Sequence, residues 1–467
     1  MATPTAAAVA QGSWVAVDTT ARGAYSRDAP GDRRKTSARG GLSTMDGGSR
    51  ASSSTVRIAA DQVEPLCWRK GMPMHVFTSI TTNYLPKAAA LAHSVKRVHP
   101  EAIFHVVLSD DAPDLPPRVT GAFDSIINIR ELPIENLPRF IFRHRLVELC
   151  TAVKGTAFQH IADRFGAERV YYFDPDIIVT SRLDDLERAL DAGSVLLTPH
   201  SIEPETDPMA VVDNEICCLR NGVYNLGFLA VRMNRDGRRF IDWWADRLRN
   251  YCYAEVENGL FTDQRWVDLA PAIFDDITIL REPQYNVSTW NLTHRRATGE
   301  APYGIQINGR PLVFYHFSGF DSGAQLVMLN RYGAHSPALY DLRDWYIERC
   351  EYFGQSTLGK IPCVYGRYKS GIKIEDAHRL LYRRREDLLR HFPDPFDDLD
   401  PSWSYRHWYE THIENAPAEP VVDHAPPPSQ VNDRRSIKRL LRAHAPEPAL
   451  KMARSARSAL RRFSGAR

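Results

Sequence analysis

Long apolar runs are missing from this 467-residue chain, and no stretch approaches the roughly 18 residues that a membrane-spanning helix needs. Met1 to Thr19 likewise lack the basic start and the apolar run of a secretory signal. A cytoplasmic protein is therefore expected. Cysteine is sparse, with seven residues whose spacing forms no paired pattern of the kind that marks a zinc clamp or a disulfide framework. Several sit inside apolar periodic segments, so buried reduced thiols are expected. The adjacent pair Cys217-Cys218 directs its side chains apart and makes a poor metal clamp. Charge of one sign is lacking too: 59 basic against 57 acidic residues leave a net +2, an average over very uneven segments. Internal repeats are absent.

What is present is ordinary for a globular protein, with 43% hydrophobic and 25% charged residues on a chain long enough to bury a full core. Residues 1–70, rich in Ala, Thr, Ser, Gly and Arg, cannot bury enough surface to offset their ordering entropy, and disorder is expected there. Hydrophobic patterning begins near Met74. Strands are expected at 74–80, 102–110, 125–129 and 169–179, with helices at 86–98, opened by Pro86, and 145–166. This alternation predicts an α/β fold, a mostly parallel sheet with helices on both faces, whose ligands bind outside the carboxyl ends of the strands. Further strands are expected at 194–200, 225–232 and 311–320, and helices at 238–251 and 375–392. Residues 336–415 predict a helical extension and 416–430 a proline-rich linker. The tail 431–467 carries 11 Arg and Lys against Asp433 and Glu447. Its Ile437, Leu440, Leu441, Leu450, Met452 and Leu460 among the arginines suit an amphipathic surface helix at anionic lipids, and thus contact with the inner face of a membrane. A solvated tail is the alternative. Nucleic acid is not expected, because aromatic residues are nearly absent there.

The segment most loaded with chemistry is Asp174-Pro175-Asp176, inside the apolar run 169–179. Carboxylates two residues apart lie on one side of an extended strand. Buried unpaired, each would cost several kcal/mol, whereas at a strand end they can hold a hard divalent cation. Pro175 denies the ladder a donor, which suits a strand that is ending. An acidic turn is the plain alternative. A phosphatase of the haloacid-dehalogenase type also ends its nucleophile strand in Asp-x-Asp. That family wants Thr or Val where Ile178 stands, and a downstream Gly-Asp loop that does not follow here.

An ordered set of motifs from about Met74 to Phe320 resembles the GT-A glycosyltransferases, closest in pattern to family 8 and its bacterial relatives. The first strand with Thr78, followed by Thr82-Asn83-Tyr84, resembles the nucleotide-contacting start of that fold. A helix bearing Lys154 precedes the Asp-x-Asp residues Asp174 and Asp176. Asn225-Leu226-Gly227 resembles the Asn-x-Gly segment lining the donor sugar, and Thr262-Asp263-Gln264 the Asp-Gln helix start near it. Tyr285-Asn286 with Trp290-Asn291 resembles the aromatic-Asn segment, and His316-Phe317-Ser318-Gly319 the His-x-x-Gly motif whose histidine completes the metal site. Phe320-Asp321-Ser322-Gly323 departs from the family, which continues with Lys-Pro-Trp and uses that lysine on the diphosphate. Lys154, Arg145 or Arg295 would take that role here.

The resemblance implies a catalytic domain over 71–335 that transfers a hexose from a nucleotide sugar, most simply a UDP-sugar, with Mn²⁺ or Mg²⁺. The implied acceptor is a glycan or lipid-linked glycan of a surface polysaccharide. Asp174, Asp176 and His316 would hold the metal. Thr78, Tyr84, Lys154, Asp174, Asn225, Gly227, Asn286 and Gly319 would line the donor, with Tyr84 stacking on the base. Asp263 would serve as general base in an inverting enzyme or orient the donor in a retaining one, with Asn225 beside it. Asp263 as a plain helix cap and Asn225 as a cross-strand structural amide are the alternatives. A sugar-nucleotide pyrophosphorylase would need a glycine-rich loop after the first strand, which Phe77-Thr78-Ser79-Ile80-Thr81-Thr82 is not. A non-catalytic glycan or nucleotide binder on the same fold is a further alternative.

Overall fold

A computed structural model describes residues 73–111 and 115–413. The segment 1–70, the proline-rich linker and the basic tail on which expectations were placed lie outside the described residues. Residues 73–407 belong to one compact unit, and 408–413 begin a second.

The strands His75–Ile80 (β1), Ile103–Leu108 (β2), Ser125–Asn128 (β3) and Arg169–Phe173 (β4) form where the apolar runs predict them. After Ile177–Val179 (β5) come Val195–Leu197 (β6) and Phe228–Arg232 (β7). One seven-stranded sheet runs in the order Ile277–Ile279, β6, β7, β4, β1, β2, β3. β1 pairs in parallel with β2 and β4, β2 with β3, and β6 with Ile277–Ile279. Only β7 runs against its neighbours β4 and β6. Helices cover the sheet, which explains why β1 is buried along its whole length and has no exposed face. The α/β expectation, with a mostly parallel sheet flanked by helices, describes the fold.

Several segments differ from expectation, each for a local reason. The strand expected over 169–179 is two strands in two sheets. β4 stays in the central sheet, while β5 pairs antiparallel with the strand Phe314–His316. Between them Asp174-Pro175-Asp176 is a turn closed by Ile177 N–H donating to the Asp174 carbonyl at 3.1 Å. Asp at the first turn position and Pro at the second are the residues such a turn selects. The helix expected over 145–166 is likewise two, Leu146–Ala152 and Lys154–Phe165. Thr151 donates its hydroxyl back to the Val147 and Glu148 carbonyls, a bond that bends helices, and Lys154 opens the second segment. In the segment 375–392, Arg385 takes an extended conformation and separates Asp376–Arg384 from Glu386–His391.

Other elements follow the pattern directly. Leu85–Val98 buries an Ala- and Leu-rich face. Arg235–Tyr251, capped by Asn234 accepting from Gly237 N–H, buries Phe240, Ile241, Trp244 and Leu248 at helical spacing. Gly155 lets the helix Lys154–Phe165 approach it, since a Cβ there would lie 2.6 Å from the Ala245 Cα. Beyond residue 336, Pro337–Tyr352 packs on Leu85–Val98, and Asp376–Arg384 on the helix Leu137–Arg143. The described cysteines are all unbridged; Cys150, Cys252, Cys350 and Cys363 are buried, while Cys217 and Cys218 are only partly so. Among the described residues no helix is long and apolar enough to cross a membrane.

Candidate functional site

The Asp174-Pro175-Asp176 turn is fastened at both ends by neighbouring strands. Asp174 N–H donates to the Gly227 carbonyl at 2.7 Å, extending the pairing of β4 with β7, where Phe173 faces Phe228. The Asp176 carbonyl accepts from Phe317 N–H at 2.9 Å, extending the pairing of β5 with the strand that ends in His316. Two segments distant in sequence thereby deliver Asp174, Asp176 and His316 to one point. Their ligand-capable atoms all lie within 4.8 Å of one another. His316 Nε2 stands 3.2 Å from Asp176 Oδ1 and 3.8 Å from Asp174 Oδ2. Burial is the largest influence and pushes Asp176 up and His316 down, but their mutual charge and hydrogen bond, with Lys87 acting on Asp176 and Asp174 on His316, together outweigh it, so Asp176 is lowered and His316 raised.

Close packing fixes the histidine. A Cβ on Gly227 would lie 2.5 Å from His316 Cε1 and 2.7 Å from Asn225 Oδ1, so only glycine fits. The other face of the ring meets Trp290 edge-on at 5.4 Å. Two carboxylate oxygens and one imidazole nitrogen are a donor set suited to a divalent ion, and His316 Nδ1 has no hydrogen-bond partner among the described residues.

The triad opens into a pocket whose wall carries Lys154, Tyr172 and Asp263. Lys154 is buried, and its ammonium reaches Asp263 Oδ2 at 2.8 Å, the Leu226 carbonyl at 3.2 Å and Asp174 Oδ1 at 3.3 Å. It also lies 4.1 Å over the Tyr172 ring. Burial disfavours its charge, yet Asp174 and Asp263 more than compensate and raise its pKa. Burial pushes Asp263 upward, against the pull of Lys154. Although Asp263 stands at the start of the helix Gln264–Val267, its side chain makes no cap bond; it accepts from the Thr262 hydroxyl at 3.0 Å and turns to Lys154. Thr262 holds a left-handed φ of +47°.

Asn225 lines the same pocket, in the loop before β7 and not on the strand. Its amide donates to His200 Nε2 at 3.0 Å, and its oxygen accepts from Gly227 N–H at 2.9 Å and from Asn286 at 3.1 Å. That is close to saturation. Asn286, itself at φ +47°, lies behind Asn225 and does not line the pocket. Thr78 points away, and its strand neighbour Ser79 lines the pocket with a buried, unpartnered hydroxyl. Gly319 forms a left-handed turn at φ +74°, and Ser318 is the lining residue. Tyr84 donates its hydroxyl to Asp321 at 2.6 Å, and Lys87 Nζ, 2% exposed, reaches the same carboxylate at 2.5 Å. Of the cations expected to meet a phosphate, Lys154 is committed as described. Arg145 pairs with Asp376 at 3.1 Å, and Arg295 is buried, donating to the Pro283 carbonyl.

Sequence reasoning missed Ser79, Tyr172 and His200 in the wall, and Lys87 near Asp176, while Gln264 of the Asp-Gln motif does line it. Tyr172 was findable: two residues before Asp174, it donates its hydroxyl to that carboxylate at 2.5 Å.

No known family model matches the chain. It is 24% identical over 245 residues to the uncharacterized protein YfnF of Bacillus subtilis (strain 168), spanning 52% of this chain and 80% of that protein. It is 23% identical over 250 residues to YfnD of the same organism, spanning 53% and 78%. Among solved structures, the galactosyltransferase LgtC in complex with donor and acceptor sugar analogs is similar at 15% identity, with a TM-score of 0.36, covering 62% of this chain and 97% of that one. The glycosyltransferase GlyE of Streptococcus pneumoniae TIGR4, in its apo form, is similar at 15% identity, with a TM-score of 0.34, covering 64% and 67%.

Proposed function

We propose that the chain is a metal-dependent GT-A glycosyltransferase, transferring a hexose from a nucleotide sugar, most simply a UDP-sugar, to a glycan or lipid-linked acceptor. The observation that carries this reading is the convergence of Asp174, Asp176 and His316 at the mouth of a pocket whose wall holds Lys154 and Asp263. A divalent ion, Mn²⁺ or Mg²⁺, held by those three side chains supplies charge compensation for a leaving nucleoside diphosphate. The chain's own residues do the rest. Lys154 and Tyr172 fix Asp174 through one oxygen, leaving the other turned toward His316. Ser79 offers an unpartnered hydroxyl to a polar ligand. Asp263 and Asn225 face the volume where the sugar would lie. The histidine supports this reading over the Asp-x-Asp phosphatase, which gives it no task.

A panel of nucleotide sugars with Mn²⁺, scored by nucleotide release, tests the proposal. At least one donor should turn over, and Asp176→Ala should lower the rate by about 100-fold or more, as expected when charge stabilisation is removed from a preorganised site. No turnover with any donor, or an Asp176→Ala variant as active as the parent, would reject it.

A further inference from the structure

We infer that Arg383, from the C-terminal helix Asp376–Arg384, is a positioning residue for Asp263; the inference rests on the sugar-transfer reading of the pocket. Arg383 is 2% exposed on its side chain, and its guanidinium forks between two carboxylates. One branch meets Glu148 Oε2 at 3.0 Å, and the other meets Glu255. Its plane lies 4.0 Å over the Tyr253 ring. Glu148, fully buried, accepts from Ala254 N–H at 2.8 Å through its second oxygen. Tyr253, Ala254 and Glu255 are thus held one after another by a single clamp, through ring, backbone and carboxylate.

Those three residues support the turn that presents Asp263. Ala254–Glu255 pairs antiparallel with Leu260–Phe261, and the Tyr253 carbonyl accepts from Thr262 N–H at 3.0 Å. Thr262 is β-branched and sits in the left-handed region, a conformation that persists only when its surroundings over-determine it. Its hydroxyl then donates to Asp263, the next residue, which reaches Lys154 at 2.8 Å. A continuous series of contacts runs from Arg383 to the pocket wall.

Docking of the helix is the task of a different arginine. Arg379, one turn earlier, is buried and donates to the carbonyls of Phe142 and His144, each at 2.9 Å, and to that of Tyr365. Arg383 makes none of these bonds. Without its guanidinium, the nearest remaining cations would be Arg145, 3.8 Å from the fully buried Glu148, and Arg384, 3.4 Å from Glu255, so the two carboxylates would be weakly compensated and the hold of Glu148 on Ala254 would loosen.

The test compares Arg383→Lys, which keeps the charge and loses the fork, with Arg383→Ala and with Arg379→Lys, all in the full chain. Hydrogen exchange is followed at 253–263 and at the metal-site segments 174–177 and 314–318, alongside Mn²⁺ binding and nucleotide-sugar turnover. Both Arg383 variants should exchange about tenfold or more faster at 253–263, with the metal-site segments unchanged. Mn²⁺ affinity should stay within about twofold, because the triad is held by other strands. Turnover should fall about tenfold or more, and added guanidinium should restore part of it in Arg383→Ala. Unchanged exchange at 253–263 would overturn the inference. So would a rise in all segments together, or the same pattern from Arg379→Lys. If no nucleotide sugar is turned over by the parent, the transfer reading fails, and the exchange pattern still decides the clamp.

Discussion

Gly227→Ala probes the contact that seats His316, and with it Asn225, whose Oδ1 would lie 2.7 Å from the new Cβ. The φ of Gly227 lies outside the left-handed region, so alanine adds no backbone strain and the whole effect is steric. Its Cβ would stand 2.5 Å from His316 Cε1, where about 3.5 Å is comfortable, so about 1 Å must open. The backbone cannot supply it, because Gly227 is bonded to Asp174 through its carbonyl and to Asn225 through its N–H. Asn225 is itself held by His200 and Asn286. The imidazole is what must move, which disturbs the 3.2 Å contact it now makes with Asp176. Overpacking of this kind costs about 1–3 kcal/mol, equivalent to a loss of about 5- to 150-fold in an equilibrium that needs the native ring position. Mn²⁺ titration followed by tryptophan fluorescence, with Trp290 against the ring, measures that loss, and nucleotide release should fall with it. Gly366→Ala is the matched control: its nearest atom, Leu146 Cδ1, lies at an ordinary 3.9 Å, and it should behave as the parent. A Gly227→Ala protein that binds Mn²⁺ within twofold of the parent would refute the seating argument.

Two further outcomes follow from buried groups outside the triad. His105, His144 and His200 are all driven down by burial, His105 to about 3 and His200 to about 4. In the unfolded chain they titrate near 6.5, so below that pH the unfolded state takes up protons that the folded state refuses. Stability is therefore complete above pH 6.5 and lost as pH falls, by about 2 kcal/mol per histidine between pH 7 and 5. Urea midpoints across that window should drop steeply, and His105→Gln should make the drop shallower by the share of one histidine; a flat profile would contradict the burial argument. Asp321→Asn should cost about 1–3 kcal/mol by leaving the buried Lys87 without its carboxylate, and Lys87→Met combined with Asp321→Asn should recover part of it in the same assay.

How much of this was legible depended on whether the signal was local. Asp174 and Asp176 stood out because two carboxylates in an apolar run need a reason to be there. Whether they lay on a strand or in a turn was also locally encoded, in the Asp-Pro pair, but the apolar flanks on both sides suggested one continuous strand. Alternation along β1 separates Thr78 from Ser79 without saying which face meets the pocket, and that depends on which helix covers which side. Lys87 was beyond reach. It lies in an Ala-rich helix start, and its carboxylate partner is 234 residues away. The same holds for Arg383, whose pairing with Glu148 spans 235 residues. Asn225 was placed on the strand, when the amide belongs to the loop that carries Gly227 under His316.

The commitment of Lys154 bears on the part Asp263 can play. An ammonium has three N–H donors, and here they have three acceptors in Asp174, Asp263 and the Leu226 carbonyl. Nothing remains with which to grip a phosphate. What the lysine does is hold two carboxylates side by side in the pocket wall, its charge opposing the upward push that burial gives Asp263. For Asp174 this is orientation, since Lys154 and Tyr172 share Oδ1 and Oδ2 is left for the metal position. For Asp263 it is restraint: Oδ1 accepts from Thr262 and Oδ2 is ion-paired with Lys154, so each oxygen is held by one neighbour. A general base must have a free lone pair aimed at the proton it takes. A lone pair is left on each oxygen, but taking a proton would cancel the charge of Asp263 and with it the ion pair to Lys154, at about 3–5 kcal/mol for a buried pair. On the sugar-transfer reading proposed above, this favours Asp263 as a group that orients a bound sugar over Asp263 as the base that activates an acceptor.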